Sequence, residues 1–175
     1  LDELAASAEA ERQAPSTVKL LANVLAKSGR PERALEVLDR ALREHSDDFW
    51  LHFVAASASS ATRPPRYDKA EGHYTAALAL RPRNVVVLNN LGSVLAEHGK
   101  LDEAVDSFRQ ALALNPKYAG AHCNLGTALK KLGKLDEAIA ACRQALALDP
   151  NFAGAHRELG NALYEQGKRD EAIAA

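Results

Sequence analysis

Histidine and cysteine side chains recur in the second half of the chain. His122 and Cys123 are adjacent, and His156 follows His122 by 34 residues. Imidazole and thiolate groups bind zinc, but a structural zinc site takes four such ligands. We therefore expect the two histidines to fill positions between helices, and Cys142 to be a small buried apolar residue. No metal site is predicted.

Three Gly-Lys pairs, at 99–100, 133–134 and 167–168, invite comparison with a phosphate-binding loop. In such a loop Ser or Thr follows the lysine, and a second glycine stands five residues earlier. None of the three pairs has these neighbours, and the chain also lacks CxxC, HExxH and GxSxG patterns. The pairs are interpreted as turns. The sequence predicts no catalytic residue, no enzyme activity and no cofactor.

The composition argues against partners recruited by bulk charge. The chain has 175 residues, 47% of them apolar, and 22 basic against 23 acidic residues give a net charge of -1. A chain with almost no net charge is not drawn by bulk electrostatic attraction to nucleic acid or to an anionic membrane. The longest apolar runs, 76–80 and 138–142, are far shorter than the roughly 20 residues of a spanning helix. With two cysteines and no Asn-x-Ser/Thr, we expect a cytoplasmic protein.

A period of 34 residues runs through the chain. Gly92, Gly126 and Gly160 are separated by this step. Several residue types kept in step over successive periods are a strong sign of a repeat architecture. The same step separates three further sets of residues: Gly99, Gly133 and Gly167; Pro82, Pro116 and Pro150; and Ala70, Ala104, Ala138 and Ala172.

Each period has the pattern of two antiparallel helices. In 85–118, apolar residues at helical spacing begin at Leu88 and again at Leu101. Gly99 supplies the turn between them, and Pro116 ends the second helix because proline disfavours helix in the residue before it. One hairpin cannot bury both its faces, so neighbouring hairpins must stack. The sequence therefore predicts an all-α fold.

The segments Leu91-Gly92 and Leu101-Asp102-Glu103-Ala104, with Pro116 at the end of the unit, resemble the tetratricopeptide repeat. The resemblance implies an α-solenoid, a right-handed superhelix of antiparallel helix-turn-helix hairpins, with first helices lining a concave groove. It divides the chain into a helix of a preceding or capping unit (1–14), a short unit (15–46), a unit with about four extra residues near 62–65 (47–84), two full units (85–118 and 119–152) and a truncated unit (153–175).

This division makes three local predictions. Trp50 occupies the aromatic position of its unit, and Val54 the position usually held by a small residue. Gly92 lies inside a helix, which costs about 1 kcal/mol relative to Ala. We expect that cost to be offset by close approach of the paired helix at Ala104. The chain is also expected to be part of a longer protein.

Polar residues occupy the face of each predicted first helix opposite its apolar face. Asn90 and Asn124 hold the same position in consecutive units. An Asn amide carries a donor and an acceptor, as a peptide unit does, so this face can bind the main chain of an extended peptide. His52, Glu97, Cys123, Glu158 and Tyr164 lie on it too. The residues predicted to bind a peptide are Lys19, Asn23, Asn89, Asn90, Ser93, Asn124, Thr127, Lys130, Lys131, Arg157 and Asn161.

The asparagine pair resembles the ladder in the superhelices of O-linked N-acetylglucosamine transferases, which implies contact with a peptide backbone. Lys19 and Asn23 resemble the first two residues of the carboxylate clamp in chaperone-binding tetratricopeptide domains. His52 and Val86, however, stand where that clamp has asparagine and a basic residue. Asparagines that only solvate an exposed face are the alternative.

The sequence is compatible with three functions. The leading hypothesis is a non-enzymatic scaffold that binds an extended peptide or a partner helix in the concave groove. The second is a docking or regulatory arm of a larger bacterial enzyme, a glycosyltransferase, sulfotransferase or serine/threonine kinase. The third is a homo-oligomer formed by end-to-end stacking of the apolar faces of the terminal units.

The hairpin interpretation makes a prediction at Ala138. Replacing Ala138 with Leu is expected to lower the free energy of unfolding by about 1–3 kcal/mol, because the larger side chain overpacks the contact between paired helices. Thermal unfolding measures this change. An unchanged melting curve would contradict the hairpin.

Overall fold

A computed structural model describes residues 14–174. Within this range the chain forms ten helices and no strand. The helix expected over 1–14 lies outside the described residues, apart from Ala14, which precedes the first helix. The helices are α1 (Pro15–Lys27), α2 (Pro31–Glu44), α3 (Phe49–Ala61), α4 (Tyr67–Leu80), α5 (Val85–Glu97), α6 (Leu101–Leu114), α7 (Ala119–Lys131), α8 (Leu135–Leu148), α9 (Ala153–Glu165) and α10 (Arg169–Ala174).

Local sequence signals account for the ends of these helices. Pro15 and Pro31 begin α1 and α2, at the position where a missing N–H costs nothing. Asp48 caps α3 by accepting a hydrogen bond from the Leu51 N–H at 2.9 Å. A glycine with a positive φ, between 74° and 85°, follows every first helix except α3, and this backbone conformation favours glycine; these residues are Gly29, Gly99, Gly133 and Gly167.

The chain divides into two compact units, with the boundary after Val87. In the first unit, apolar faces of α1, α2 and α3 form one core that includes Leu25, Leu38 and Leu51. In the second unit, α6, α7 and α8 enclose Phe108 and Leu129, and the core continues to α9 at Leu163. Both cores are rich in alanine, which allows the helices to pack closely.

The helix register corrects the prediction for Trp50. The first helices begin at 15, 49, 85, 119 and 153, so one interval is 36 residues and the others are 34. The loop 62–66 therefore holds two extra residues, where about four were expected. Trp50 is the second residue of α3 and is 45% exposed. His52 holds the fourth position, expected for the aromatic, and the small-residue position falls on Ala56, not Val54.

The atoms nearest to Gly92 belong to the paired helix α6, and specifically to Phe108. A Cβ on Gly92 would lie 2.7–2.9 Å from the ring of Phe108, one turn beyond Ala104. At the matching position in the next hairpin, a Cβ on Gly126 would lie 2.7 Å from Cys142 Sγ and 3.2 Å from the Ala138 carbonyl oxygen. In this hairpin the backbone of an alanine lies close to the glycine.

Two matched variants, Gly126→Ala and Gly160→Ala, test how closely α7 and α8 pack at Gly126. Both gain about 1 kcal/mol of helix propensity, but at Gly160 the nearest atom to the new methyl, the Ala172 carbonyl oxygen, is at an ordinary 3.4 Å. Urea unfolding should show Gly126→Ala to be less stable than Gly160→Ala by about 1–3 kcal/mol. Equal stabilities would show that α7 and α8 lie farther apart.

Candidate functional site

The second unit holds its helices in two layers. The first helices are joined side by side, α5 to α7 by Asn89 and Asn124, and α7 to α9 by Lys130 and Glu158. The second helices are joined by ion pairs of Arg109 with Glu137 at 3.0 Å and Arg143 with Glu171 at 3.1 Å. The polar face predicted from the sequence therefore lies along the layer of first helices.

Side-chain amides form a chain of hydrogen bonds on this layer. Asn124 Nδ2 donates to Asn89 Oδ1 at 3.0 Å, and Asn89 Nδ2 donates to Asn90 Oδ1 at a long 3.4 Å. Asn124 Nδ2 also lies 3.5 Å from Ser93 Oγ. Within residues 14–174, Asn90 Nδ2 and Asn124 Oδ1 have no protein partner. The network thus leaves the NH2 group of Asn90 and the amide oxygen of Asn124 unused.

A small cleft adjoins Asn124 between α5 and α7. Its volume is about 140 Å³, room for several waters at about 30 Å³ each but less than the roughly 300 Å³ of a drug-sized pocket. It therefore suits one side chain. Its lining combines a carboxylate and an ammonium group with hydroxyls and an apolar floor: Ser93, Ala96, Glu97, Phe108, Asn124, Thr127, Ala128 and Lys131.

Lys130 and Arg157 both contact Glu158. Lys130 Nζ lies 2.9 Å from Glu158 Oε2, with both side chains largely buried, whereas Arg157 Nε lies 3.1 Å from Oε1 on a side chain that is 72% exposed. Burial by itself would raise the pKa of Glu158. The hydrogen bonds from Lys130 and Arg157, with their charges, outweigh burial and hold the pKa of Glu158 below its usual value. Lys130 is therefore already paired.

The remaining predicted residues differ in their availability. Asn89 is buried, and Thr127 donates to the Cys123 carbonyl oxygen at 3.1 Å. Asn161 and Lys131 are exposed on this layer. Asn23 and Lys19 belong to the first unit, where Asn23 is exposed and Lys19 Nζ lies 5.2 Å from the centre of the Trp50 ring.

Cys123 and His52 do not lie open on the predicted polar face. Cys123 is 6% exposed and packs with Ala145 and Ala155, because the fifth residue of α7 points toward the neighbouring hairpin. His52 is half-buried against His73. Sequence reasoning missed the exposed Trp50; the N-cap signal of Asp48 would have found it by fixing the start of α3.

The histidines and cysteines of the second unit do not converge. His122 and His156 each bond through Nε2 to a backbone carbonyl six residues earlier, at 2.9 Å. Their ring nitrogens and the Cys123 sulfur form no cluster within 4.8 Å. Burial raises the pKa of the Cys142 thiol to about 12 and also raises that of Cys123. Neither thiol has the low pKa of a reactive cysteine.

Family models match most of the chain. Two models described as "Tetratricopeptide repeat" match residues 15–58 and 73–106. A model described as "TPR repeat" matches residues 92–133 and 126–167. No curated protein sequence matches the chain significantly.

Solved structures share the fold over almost the whole chain. MamA from Desulfovibrio magneticus RS-1 is 23% identical, with a TM-score of 0.81 over 96% of this chain and 91% of that one. Pseudomonas aeruginosa PilF is 25% identical, with a TM-score of 0.78 over 95% and 73%. YrrB, described as a TPR protein with an unusual peptide-binding site, is 25% identical, with a TM-score of 0.71 over 90% and 80%.

These likenesses confirm the predicted all-α solenoid of helical hairpins. None of the helices within residues 14–174 combines the length and the apolar character that crossing a membrane requires.

Replacing each of the two basic side chains that contact Glu158 tests which of them is its main partner. Lys130→Met should lower the free energy of unfolding by about 1–3 kcal/mol, because it removes the buried partner of a buried carboxylate. Arg157→Met is the matched control and should cost less than about 1 kcal/mol, since Arg157 is exposed. Urea titrations at neutral pH measure both, and the opposite ranking would contradict the assignment of Lys130 as the main partner.

The same carboxylate predicts an acid dependence. Because the pKa of Glu158 is lowered in the folded chain, its stabilisation is complete above the unfolded-state pKa of about 4.3 and is lost as the pH falls through the folded-state pKa. The stability difference between wild type and Glu158→Gln should therefore be constant near neutral pH and shrink below about pH 4.3. A difference that persists unchanged into strong acid would contradict the lowered pKa.

Proposed function

Because the chain belongs to the tetratricopeptide-repeat family, we propose that it is a protein-interaction module that binds an extended peptide along the first helices of residues 88–174. The single observation that carries the proposal is the amide network of Asn89, Asn90 and Asn124, which leaves a donor at Asn90 and an acceptor at Asn124.

The unused groups are those that a peptide main chain requires. A peptide C=O accepts from Asn90 Nδ2, and a peptide N–H donates to Asn124 Oδ1. The bond from Asn124 to Asn89 fixes the Asn124 side chain in advance, so less rotamer entropy is lost on binding. Because main-chain groups are common to all residues, these contacts tolerate many peptide sequences.

The cleft beside Asn124 supplies the selective part of the site. One peptide side chain enters it and contacts the ring of Phe108, with Glu97 and Lys131 at its edge. The peptide-binding site named in the description of YrrB supports the same use of this fold. Lys130, paired with Glu158, has a structural role in this proposal, and Lys19 and Asn23 lie outside the proposed site.

Peptides selected by display from random 12-residue sequences test the proposal. Asn90→Ala with Asn124→Ala should weaken a selected peptide by a few-fold to about tenfold per lost bond, since each bond contributes about 0.5–1.5 kcal/mol. The matched control is Asn151→Ala, an exposed asparagine in the loop before α9. Calorimetry measures the affinities, and circular dichroism confirms that each variant folds.

Main-chain recognition has its own signature. N-methylation of single peptide bonds should weaken binding at the contacted positions, whereas alanine replacement should matter only for the side chain in the cleft. If wild type, the double variant and the control bind equally, the asparagines only solvate the surface and the proposal is wrong.

A further inference from the structure

Two histidines of the first unit face each other between α3 and α4. His52 Nδ1 and His73 Nδ1 lie 3.1 Å apart, and the ring centres are separated by 5.4 Å with the planes at 46°. Both rings are partly withdrawn from solvent, and the His73 side chain is 16% exposed. Neither residue belongs to the peptide site proposed in residues 88–174.

The hydrogen bond on the far side of His52 fixes its tautomer. His52 Nε2 lies 3.0 Å from the Ser46 carbonyl oxygen, which can only accept, so Nε2 carries the hydrogen. His122 and His156, at the same helix position, make the same bond to Pro116 and Pro150. In the neutral His52 ring, Nδ1 therefore presents a lone pair toward His73.

The far side of His73 faces a carboxylate. His73 Nε2 lies 4.0 Å from Asp39 Oδ1, is buried, and has no hydrogen-bond partner within residues 14–174. If His73 donates from Nδ1 to His52, its Nε2 lone pair is buried facing Asp39. If Nε2 carries the hydrogen instead, it points toward Asp39, but two Nδ1 lone pairs then oppose each other.

In each neutral arrangement two electron-rich groups therefore face each other: the His73 Nε2 lone pair and Asp39 in the first, and the two Nδ1 lone pairs in the second. A cation between the two Nδ1 atoms removes this repulsion. Protonation of His73 would also remove it, but burial first, and then repulsion from a protonated His52 and from Lys69, which pairs with Asp39, lower the pKa of His73 by more than Asp39 raises it. The neutral imidazole is the form that binds a metal ion.

The distances fit a metal ion in this position. Two nitrogens bound at 2.0–2.1 Å to a tetrahedral zinc ion stand about 3.3 Å apart, close to the 3.1 Å found here. The Ser46 carbonyl would then accept from the His52 Nε2–H, and the His73 Nε2–H would lie 4.0 Å from the Asp39 carboxylate. A carbonyl or carboxylate beside the second ring nitrogen is the usual outer environment of metal-bound histidine.

We propose that His52 and His73 bind one divalent transition-metal ion of the imidazole-preferring kind, such as zinc, nickel or copper, through their Nδ1 atoms. Within residues 14–174, no third His, Cys, Asp or Glu has a ligand atom within 4.8 Å of both Nδ1 atoms. Water therefore completes the coordination, and the affinity is lower than that of a four-ligand structural site.

Zinc chloride titrated into the full chain, labelled with nitrogen-15, tests the site without mutation. Nitrogen–proton correlation spectra should show the Nδ1 resonances of His52 and His73 shifting together, with Nε2 protonated on both rings and saturation at one ion per chain. Shifts confined to the other four histidines, or no shift of this pair, would overturn the proposal.

Variants give an independent measure. His52→Gln keeps a donor for the Ser46 carbonyl but removes the ligand, and His73→Gln removes the other. Each should reduce zinc affinity by about tenfold or more, by comparison with the 10–100-fold cost of losing even an outer partner.

The matched control is His122→Gln. His122 makes the same backbone bond as His52, but the residue of α8 that matches His73 is Ala141. Its zinc affinity should equal that of the wild type. Equal affinities for all four proteins would exclude the His52–His73 site, and circular dichroism shows whether each variant retains its helices.

Discussion

The close approach of the backbones of α7 and α8 is the constraint on which the second unit depends. At Gly126 there is no room for a methyl group, because the Ala138 carbonyl oxygen and the Cys142 sulfur occupy that space. Helices this close bury small residues on their facing sides: Ala138 is fully buried, as is Ala104 at the matching position of α6. The large polar side chains are thereby left to the outer faces, where they can meet neighbouring helices or a partner.

The polar face follows from this arrangement. Since the first helices lie side by side, side chains from successive hairpins come within hydrogen-bond distance, as Asn124 and Asn89 do across 35 residues of sequence. Some of these contacts consume the polar groups, as in the pair of Lys130 with Glu158. Others orient a side chain and leave part of it unused, as in Asn90 and Asn124. The difference between structural and available polar groups therefore depends on neighbours, not on residue type.

The sequence predicted the features that depend on local chemistry. Glycine is needed where the backbone takes a positive φ, so Gly99, Gly133 and Gly167 located the turns. Their regular spacing in turn predicted the hairpins. The register of the hairpin formed by α3 and α4 was harder to predict, because its two extra residues can be placed at several points of the 34-residue period. The N-cap at Asp48 fixes the first residue of α3, and with this register Trp50 lies at an exposed position.

The details of the candidate site could not be predicted in this way. Helical periodicity gives the direction of a side chain but not the position of the adjacent helix, so the burial of Cys123 was missed. The pairing of Lys130 with Glu158 also depends on the position of the adjacent helix. The facing of His52 and His73 requires the register of both α3 and α4, which the two extra residues of the loop 62–66 obscure in the sequence.

The arginine–glutamate pairs of the second-helix layer have an evolutionary consequence. Arg109 reaches Glu137 and Arg143 reaches Glu171, each across 28 residues, so one 34-residue segment carries the acid for the segment before it and the base for the segment after it. Exposed pairs of this kind add little stability, but they are directional and identical at successive junctions. Duplication of a segment would thus carry both halves of the connection, and the array could lengthen without inventing a new junction.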